Sequence, residues 1–129
     1  MEQVKAVFNG SFDSLDNIQV SPLSRAYTFS DSVYEVVPFF NSTAIAFDDH
    51  IKRLEFSASQ LAIAVDLKEV IFEINSLITS SEFSNGYVYY QVTRGVDPLR
   101  SHIHEPNLKI ETFGYAKAHL FQWKPLRVT

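Results

Sequence analysis

Residues 87–104 carry side chains that could bind an anion. The segment YVYYQVTRGVDPLRSHIH runs from an aromatic strand into a loop with Arg94, Arg100, His102 and His104. Guanidinium and imidazole groups held together by a short loop are suited to binding carboxylates or phosphates. Residues two apart in an extended loop point to the same side, so Arg100 and His102 could grip one carboxylate. Arginine and histidine are also common as solvated residues of surface loops, and spacing alone leaves that alternative open.

Three other side chains are candidates for the same chemistry. Tyr34 lies in an apolar strand, where a phenol either packs in the core or donates to an anion in a cleft. Arg53 lies on the polar side of a predicted helix, where it is either solvated or shares an anion with His50 one turn earlier. Arg94 ends a strand, and we expect it to anchor loop carbonyls rather than bind a ligand.

The sequence contains no pattern typical of a nucleophilic or metal-dependent enzyme. The chain has no cysteine, and its four histidines lack the spacing of an HExxH zinc site. There is no GxSxG motif, and four glycines are too few for a glycine-rich phosphate loop. The chain therefore shows binding residues without a reaction centre of its own.

Composition and charge are typical of one globular domain. The composition, 46% hydrophobic and 20% charged residues, is that of an ordinary globular protein. A length of 129 residues is enough for one hydrophobic core and too short for two. The formal net charge of −4 argues against nucleic acid as the main partner. No apolar run is long enough to cross a membrane, and the N-terminus lacks the features of a signal peptide. With no cysteine to oxidise, we predict a cytoplasmic protein.

Hydrophobic periodicity predicts strands on either side of two helices. A first helix is predicted to begin with Asp48 as N-cap and to bury one face, and a second to begin at Asp66 with Glu69 completing an acidic capping box. The buried faces are expected to be Ile51, Leu54, Ala58 and Leu61 in the first helix, and Val70, Ile71, Ile74, Leu77 and Ile78 in the second. Strands are predicted at Val4–Phe8 and Phe12 around an Asn9-Gly10 turn, Val33–Phe40 with an edge or bulge at Pro38, Ala44–Phe47, Tyr87–Arg94 and Leu108–Tyr115. This order favours an α+β fold, an antiparallel sheet with two amphipathic helices on one face.

Four segments together resemble class IV pyridoxal-phosphate aminotransferases, most closely the D-amino-acid (D-alanine) aminotransferase branch. In chain order they are RAYTFSDSVYEVV (25–37), HIKRL (50–54), VYYQVTRG (88–95) and PLRSH (98–102). The resemblance covers roughly residues 3–117. It implies that residues 1–117 are the small N-terminal domain of such an enzyme, with 118–129 as a tail or the start of an interdomain linker.

The resemblance also implies a role for each candidate residue. Arg53 resembles the arginine that binds the cofactor's phosphate, and Tyr34 resembles the tyrosine that contacts the substrate carboxylate. Arg100 and His102 resemble the rest of that carboxylate site, which family members extend into the neighbouring subunit, so a homodimer is implied. The implied reaction moves an amino group between an amino acid and a 2-oxo acid.

Two departures from the family have consequences. The family often has glycine at the positions of Ser30 and Ser32, so Ser in this chain is expected either to adopt positive φ or to alter the local backbone. The resemblance further implies that the cofactor-binding C-terminal domain and its lysine are not within these 129 residues, so we expect the 129 residues alone to be inactive. A branched-chain aminotransferase domain, an aminodeoxychorismate lyase domain and a non-catalytic dimerising remnant are the alternatives.

Overall fold

The computed structural model of the protein describes residues 3–120. Three α-helices and six strands fold in this range, together with a single turn of 3-10 helix at Leu15–Asn17. The strands are β1 (Lys5–Phe8), β2 (Ser11–Ser14), β3 (Ser32–Phe40), β4 (Thr43–Ala44), β5 (Gly86–Thr93) and β6 (Glu111–Ala118). The helices are α1 (Arg25–Phe29), α2 (Phe47–Gln60) and α3 (Leu67–Ser80). None of the helices between residues 3 and 120 has the length and apolarity needed to cross a membrane.

One antiparallel sheet forms the centre of the molecule, with strand order β2-β1-β6-β5-β3-β4. The long pairings are β3 with β5 and β5 with β6, and the eight residues of β5 are paired on both sides. At the other end of the sheet, β1 and β2 form a hairpin around Asn9 and Gly10, which both have positive φ. The predicted turn and the α+β class are therefore confirmed.

Helices α2 and α3 cover one face of the sheet, as predicted. Asp66 caps α3 by accepting hydrogen bonds from the backbone N–H groups of Lys68 and Glu69. The core contains the expected helix residues Ile51, Leu54, Ala58, Val70, Ile74, Leu77 and Ile78, packed on Val33, Val37, Phe39, Val88, Tyr90 and Val92 of the sheet. Ile71 is only partly buried at the edge of this core, and Leu61 is exposed because α2 has already ended at Gln60.

The prediction for residues 44–48 was wrong. The returning strand ends at Ala44, and α2 begins at Phe47 after Ala46, which adopts the left-handed conformation with φ 52°. Asp48 is therefore not the N-cap but lies in the first turn of α2. A carboxylate in that position still favours the helix through its dipole.

One strand prediction also needs correction, and of the two alternatives predicted for Pro38 the structure shows the edge position. The last strand, expected at Leu108–Tyr115, is found at Glu111–Ala118, because residues 108–110 belong to the loop that passes Gly95. Pro38 causes no bulge, since β3 keeps a continuous register with β5 through this residue. The Pro38 carbonyl accepts a hydrogen bond from Ile45 N–H on the side of β3 that faces away from β5. Because the N–H and C=O of one strand residue point to the same side, the N–H that proline lacks would also lie on that edge side, so no hydrogen bond to β5 is lost.

Candidate functional site

The sheet face opposite α2 and α3 is lined by aromatic side chains. Tyr34 of β3 stacks on Tyr89 of β5 with ring centroids 5.5 Å apart, and Tyr89 stacks on Tyr115 of β6 at the same distance. Phe113 contacts both Tyr89 and Tyr115. Burial, reinforced by the neighbouring tyrosines, raises the pKa of Tyr89, so this phenol stays a neutral hydrogen-bond donor. It donates to Gln91 Oε1 at 2.9 Å.

Tyr34 lies on this open face and is not a core residue. Its side chain is 61% exposed, because β3 alternates between the helix side and the open side and Tyr34 falls on the open side. Stacking on Tyr89 fixes the ring and leaves the phenol at the surface. A neutral donor on an accessible face can contact an anion, which a buried phenol could not.

Arg53 of α2 is held by the carboxylate of Glu35, which follows Tyr34 in β3. Arg53 Nη2 donates to Glu35 Oε1 at 2.7 Å and Nε donates to the same oxygen at 3.2 Å. His50 Nδ1 lies 2.7 Å from that oxygen and 2.9 Å from Arg53 Nη2, so the imidazole belongs to the same cluster. Glu35 is mostly buried, whereas the Arg53 side chain is 65% exposed. The pairing therefore orients the guanidinium and leaves its outer edge accessible.

The loop residues Arg100 and His102 meet on one aromatic ring. The guanidinium carbon of Arg100 lies 4.8 Å from the centroid of the Phe29 ring, and the His102 ring lies 5.2 Å from it. A third side chain, Arg25, has its guanidinium 4.5 Å from the same centroid. We call Phe29 with these three contacts the Phe29 platform. It brings the two predicted carboxylate ligands together.

Beneath the platform lies a network of ion pairs. Arg25, 5% exposed, pairs with Asp31 at 2.9 Å and with Asp97 at 3.6 Å, and donates to the Ser101 carbonyl at 2.7 Å. Arg94 Nε donates to Asp31 at 2.6 Å, and its Nη2 donates to the carbonyl of Leu61 at the end of α2. The expectation that Arg94 is an anchor for loop carbonyls is therefore confirmed.

Among residues 3–120, these pairs leave Arg100 as the arginine of the cluster that has no acidic partner. Burial raises the pKa of Asp31, but hydrogen bonds and charge from Arg94 and Arg25 outweigh it and hold that pKa below its ordinary value. Asp31 is thus ionised at neutral pH, and Asp31 and Asp97 together balance the charges of Arg25 and Arg94. Within residues 3–120 no ion pair joins Arg100 to an acidic side chain. Its charge is available to an external anion.

Ser30 and Ser32, where the resembled family often has glycine, lie in the backbone next to the Phe29 platform. Ser30 caps the C-terminus of α1 in the left-handed conformation with φ 55°, the region where glycine is ordinarily favoured. Ser32 is an ordinary strand residue at the start of β3. Ser therefore adopts positive φ at one of the two positions and extended backbone at the other.

The four predicted site residues fall in three places. Arg100 and His102 share the platform, Tyr34 lies on the open face of the sheet, and Arg53 lies beside Glu35 on the helix side. Sequence reasoning missed Glu35, although a carboxylate within the apolar run VYEVV was a signal of a buried partner. It also missed Arg25, Phe29, Asp31 and Asp97, whose partners are distant in sequence. No group of three metal-binding side chains occurs in the described range.

Comparison with known proteins gives consistent matches over most of the chain. The sequence profile of amino-transferase class IV matches residues 32–127. The D-alanine aminotransferase of Staphylococcus haemolyticus is 30% identical over 117 residues, covering 89% of this chain and 42% of that protein. That of Listeria monocytogenes serotype 1/2a (strain 10403S) is 32% identical over 110 residues, covering 84% and 38%. The chain thus spans about two fifths of the length of these relatives.

Solved structures share the fold at lower sequence identity. The branched-chain amino acid aminotransferase from Escherichia coli superimposes with a TM-score of 0.82 at 18% identity, over 92% of this chain and 42% of that one. The 4-amino-4-deoxychorismate lyase from Pseudomonas aeruginosa gives 0.75 at 19% identity, over 88% and 39%. Because the profile covers well over half of the sequence and the fold agrees, the chain belongs to the class IV aminotransferase family.

Proposed function

We propose that residues 1–117 are the N-terminal domain of a pyridoxal-phosphate-dependent D-amino-acid aminotransferase. The full enzyme would move an amino group between an amino acid, of which D-alanine is our first candidate, and a 2-oxo acid. Residues 118–129 would lead into the cofactor-binding domain. The observation that carries this proposal is the placement of Arg100 and His102 on one ring, with Arg100 left without an acidic partner among residues 3–120.

Arg100, His102 and Tyr34 would bind the substrate carboxylate. A guanidinium binds a carboxylate through two parallel hydrogen bonds, and a neutral phenol or imidazole adds a further donor. The nearby acids are already engaged, because Asp31 and Asp97 are paired with Arg25 and Arg94. They therefore do not compete with a bound carboxylate for Arg100.

Arg53 fits the phosphate of pyridoxal 5'-phosphate. Its Nε and Nη2 are engaged with Glu35, and the exposed outer edge of the guanidinium retains N–H donors for phosphate oxygens. When bound, the cofactor would act as the electron sink of the reaction. This chain would contribute orientation, with Arg53 holding the phosphate end and the loop holding the substrate carboxylate.

The proposal includes a cytoplasmic homodimer in which the loop reaches the partner subunit's active site. Exposed apolar side chains surround the proposed ligands, since Ile103 is 86% exposed and Leu99 and Tyr27 are also largely exposed. Apolar groups beside a binding loop are suited to an interface that the loop completes. Sedimentation of the chain over a range of concentrations tests self-association. Strict monomer behaviour, with Ile103→Ser indistinguishable, would count against the dimer.

Binding experiments with paired variants test the two sites separately. D-alanine and pyruvate should shift the side-chain NMR signals of Arg100 and His102, and Arg100→Gln should abolish the shift while Lys109→Gln keeps it. Inorganic phosphate and pyridoxal phosphate should shift the Arg53 signals, with Arg53→Gln as the loss variant and Lys52→Gln as the control. Weaker shifts with L-leucine than with D-alanine are expected. Equal binding by wild type and Arg100→Gln would contradict the assignment.

The cofactor-linked lysine is expected to lie outside these 129 residues. Incubation with pyridoxal phosphate followed by borohydride reduction should therefore give no adduct confined to one lysine, and no transamination should be detected. Stoichiometric labelling of one lysine together with turnover would overturn this part of the proposal.

A further inference from the structure

The side chains that hold Arg100 and His102 in place have no role in the site as proposed so far. A loop arginine has several rotatable bonds and loses entropy when it binds, unless something already restricts it. In this chain the loop residues between Pro98 and Pro106 lie outside any helix or strand, so they lack the regular backbone hydrogen bonding of those elements. The restriction must come from side-chain contacts.

Phe29 provides those contacts. Arg100 lies over its ring at 4.8 Å, inside the range of a cation–π interaction, and His102 contacts the same ring at 5.2 Å. The two ligands are two residues apart in the loop, and one half-buried ring fixes the position of both relative to each other. A carboxylate bound by the pair would meet donors already in place.

Arg25 in turn fixes Phe29. Its guanidinium lies 4.5 Å from the ring centroid and is held by Asp31, Asp97 and the carbonyl of Ser101. Ser101 is the residue between the two ligands, so one buried guanidinium ties both the ring and the loop backbone. Arg25 is paired with carboxylates, and therefore it supports the ring without adding a free charge that would compete with Arg100.

We infer that Phe29 is a positioning residue, whose ring orders Arg100 and His102 for one carboxylate, with Arg25 as the buried support that holds ring and loop together. The inference rests on the proposed function for its purpose, but the ordering itself is a property of this chain. If this is right, replacing the Phe29 ring by an aliphatic side chain should loosen Arg100 and His102 and weaken carboxylate binding.

The test compares three substitutions in the full 129-residue chain. Phe29→Leu removes the ring, Phe29→Tyr retains it, and Phe72→Leu removes a ring on α3 that contacts Phe12 outside the platform. The first readout is the NMR signal of the Arg100 Nε–H group and of the His102 ring, which report the ring-current shift from Phe29 and side-chain mobility. The second is the dissociation constant of D-alanine and of acetate.

In Phe29→Leu we expect loss of the ring-current shifts, greater mobility of Arg100 Nε and weaker carboxylate binding. The affinity should fall about two- to fivefold, because a cation–π contact near the surface is worth roughly 0.5–1 kcal/mol and 1.4 kcal/mol is tenfold. Phe29→Tyr should restore both readouts and Phe72→Leu should change neither. A merely structural role for Phe29 would not separate Tyr from Leu in this way.

Two results would overturn the inference. One is the absence of ring-current shifts at Arg100 and His102 in the wild-type chain, which needs no variant to fold. The other is a folded Phe29→Leu protein with unchanged shifts and mobility. Failure of the proposed function looks different: the shifts and their loss in Phe29→Leu would be present, but no carboxylate would bind to the wild type.

Discussion

Replacing Tyr90 with Phe tests a fully buried polar contact between β5 and α3. Glu73 of α3 is 1% exposed, and its Oε2 accepts a 2.5 Å hydrogen bond from the Tyr90 hydroxyl. Its Oε1 accepts from Thr112 Oγ1 at 3.1 Å, and the backbone N–H of Gly10 is a further donor. Burial raises the pKa of Glu73, the hydrogen bonds from Tyr90 and Thr112 oppose this, and the nearby charge of Glu69 adds to the rise.

The expected cost of Tyr90→Phe is about 1.5–3 kcal/mol of unfolding free energy where Glu73 is ionised, the range for a hydrogen bond to a charged group. The ring is kept, so no cavity forms, and the carboxylate retains its other two donors. For a chain of this length the cost corresponds to a fall in Tm of roughly 5–12 °C. Tyr87→Phe is the matched control in the same strand, and it should stay within about 0.5 kcal/mol.

The pH dependence has a definite sign. Because the pKa of Glu73 is higher in the folded protein than in the unfolded chain, folding favours the proton-bound form. Stability is then lost as pH rises from the unfolded value, about 4.3, through the raised folded pKa. Tyr90 favours the ionised carboxylate, so its removal raises that pKa further. The cost of Tyr90→Phe should therefore be larger near pH 7 than near pH 4.

Urea unfolding followed by circular dichroism at both pH values measures the effect. Glu73→Gln removes the titrating group, and in that background Tyr90→Phe should cost only about 0.5–1.5 kcal/mol with no pH dependence. A cost below about 0.5 kcal/mol would show that the hydrogen bond contributes no stability. A cost that is larger at low pH would refute the reasoning about the charge.

Four further substitutions have clear expected outcomes. Asp31→Asn should cost about 3 kcal/mol of unfolding free energy, because it breaks a buried ion network. Since the pKa of Asp31 is lowered in the folded protein, the wild type should lose this stability as pH falls below about 4. An unfolding free energy that does not change with pH in the acid range would contradict this. Ser30→Gly should be neutral or stabilising by up to about 1 kcal/mol, because φ is positive at this residue. Ser32→Gly in β3 should instead cost about 0.5–1 kcal/mol. A higher Tm for Ser32→Gly than for Ser30→Gly in thermal unfolding would be inconsistent with these backbone conformations. Gly95→Ala should cost at least about 2 kcal/mol of unfolding free energy, because φ is 110° and a Cβ would lie 2.0 Å from the Lys109 carbonyl oxygen. A Tm equal to that of the wild type, measured by calorimetry, would rule out this clash.

The fold was largely predictable because its signals are local. Helices α2 and α3 each present one apolar face, and the strands β3 and β5 are rich in Val, Tyr and Phe. Helix α1 was not predicted, since five residues are too short to show a period. The start of α2 was misplaced because the left-handed Ala46 that ends the preceding turn has no sequence signature.

The site was predictable only in its outer layer. Arg53, Arg100 and His102 were candidates because exposed cations in a loop or on a polar helix face are visible as residue types. Their supports were missed because the pairing depends on distant residues, as with Asp31 and Arg94, which are 63 positions apart. A buried acid such as Glu73 looked like a polar residue on an amphipathic helix, and only the three-dimensional structure shows its partners.

The register of β3 decides whether the two halves of the proposed site can exist together. Tyr34 pairs with Gln91 and Glu35 with Tyr90, so the phenol faces the open side and the carboxylate faces α2. A shift of one residue would reverse both, removing the donor from the open face and the support from Arg53. The turn at Asn41 and Ser42, both with positive φ, supports this register from the other end of β3, because Asn41 N–H donates to Asn85 Oδ1 and Ser42 N–H donates to the Ser84 carbonyl just before β5. Turn geometry distant from Tyr34 and Arg53 is therefore part of what keeps the proposed substrate and cofactor contacts on their respective faces.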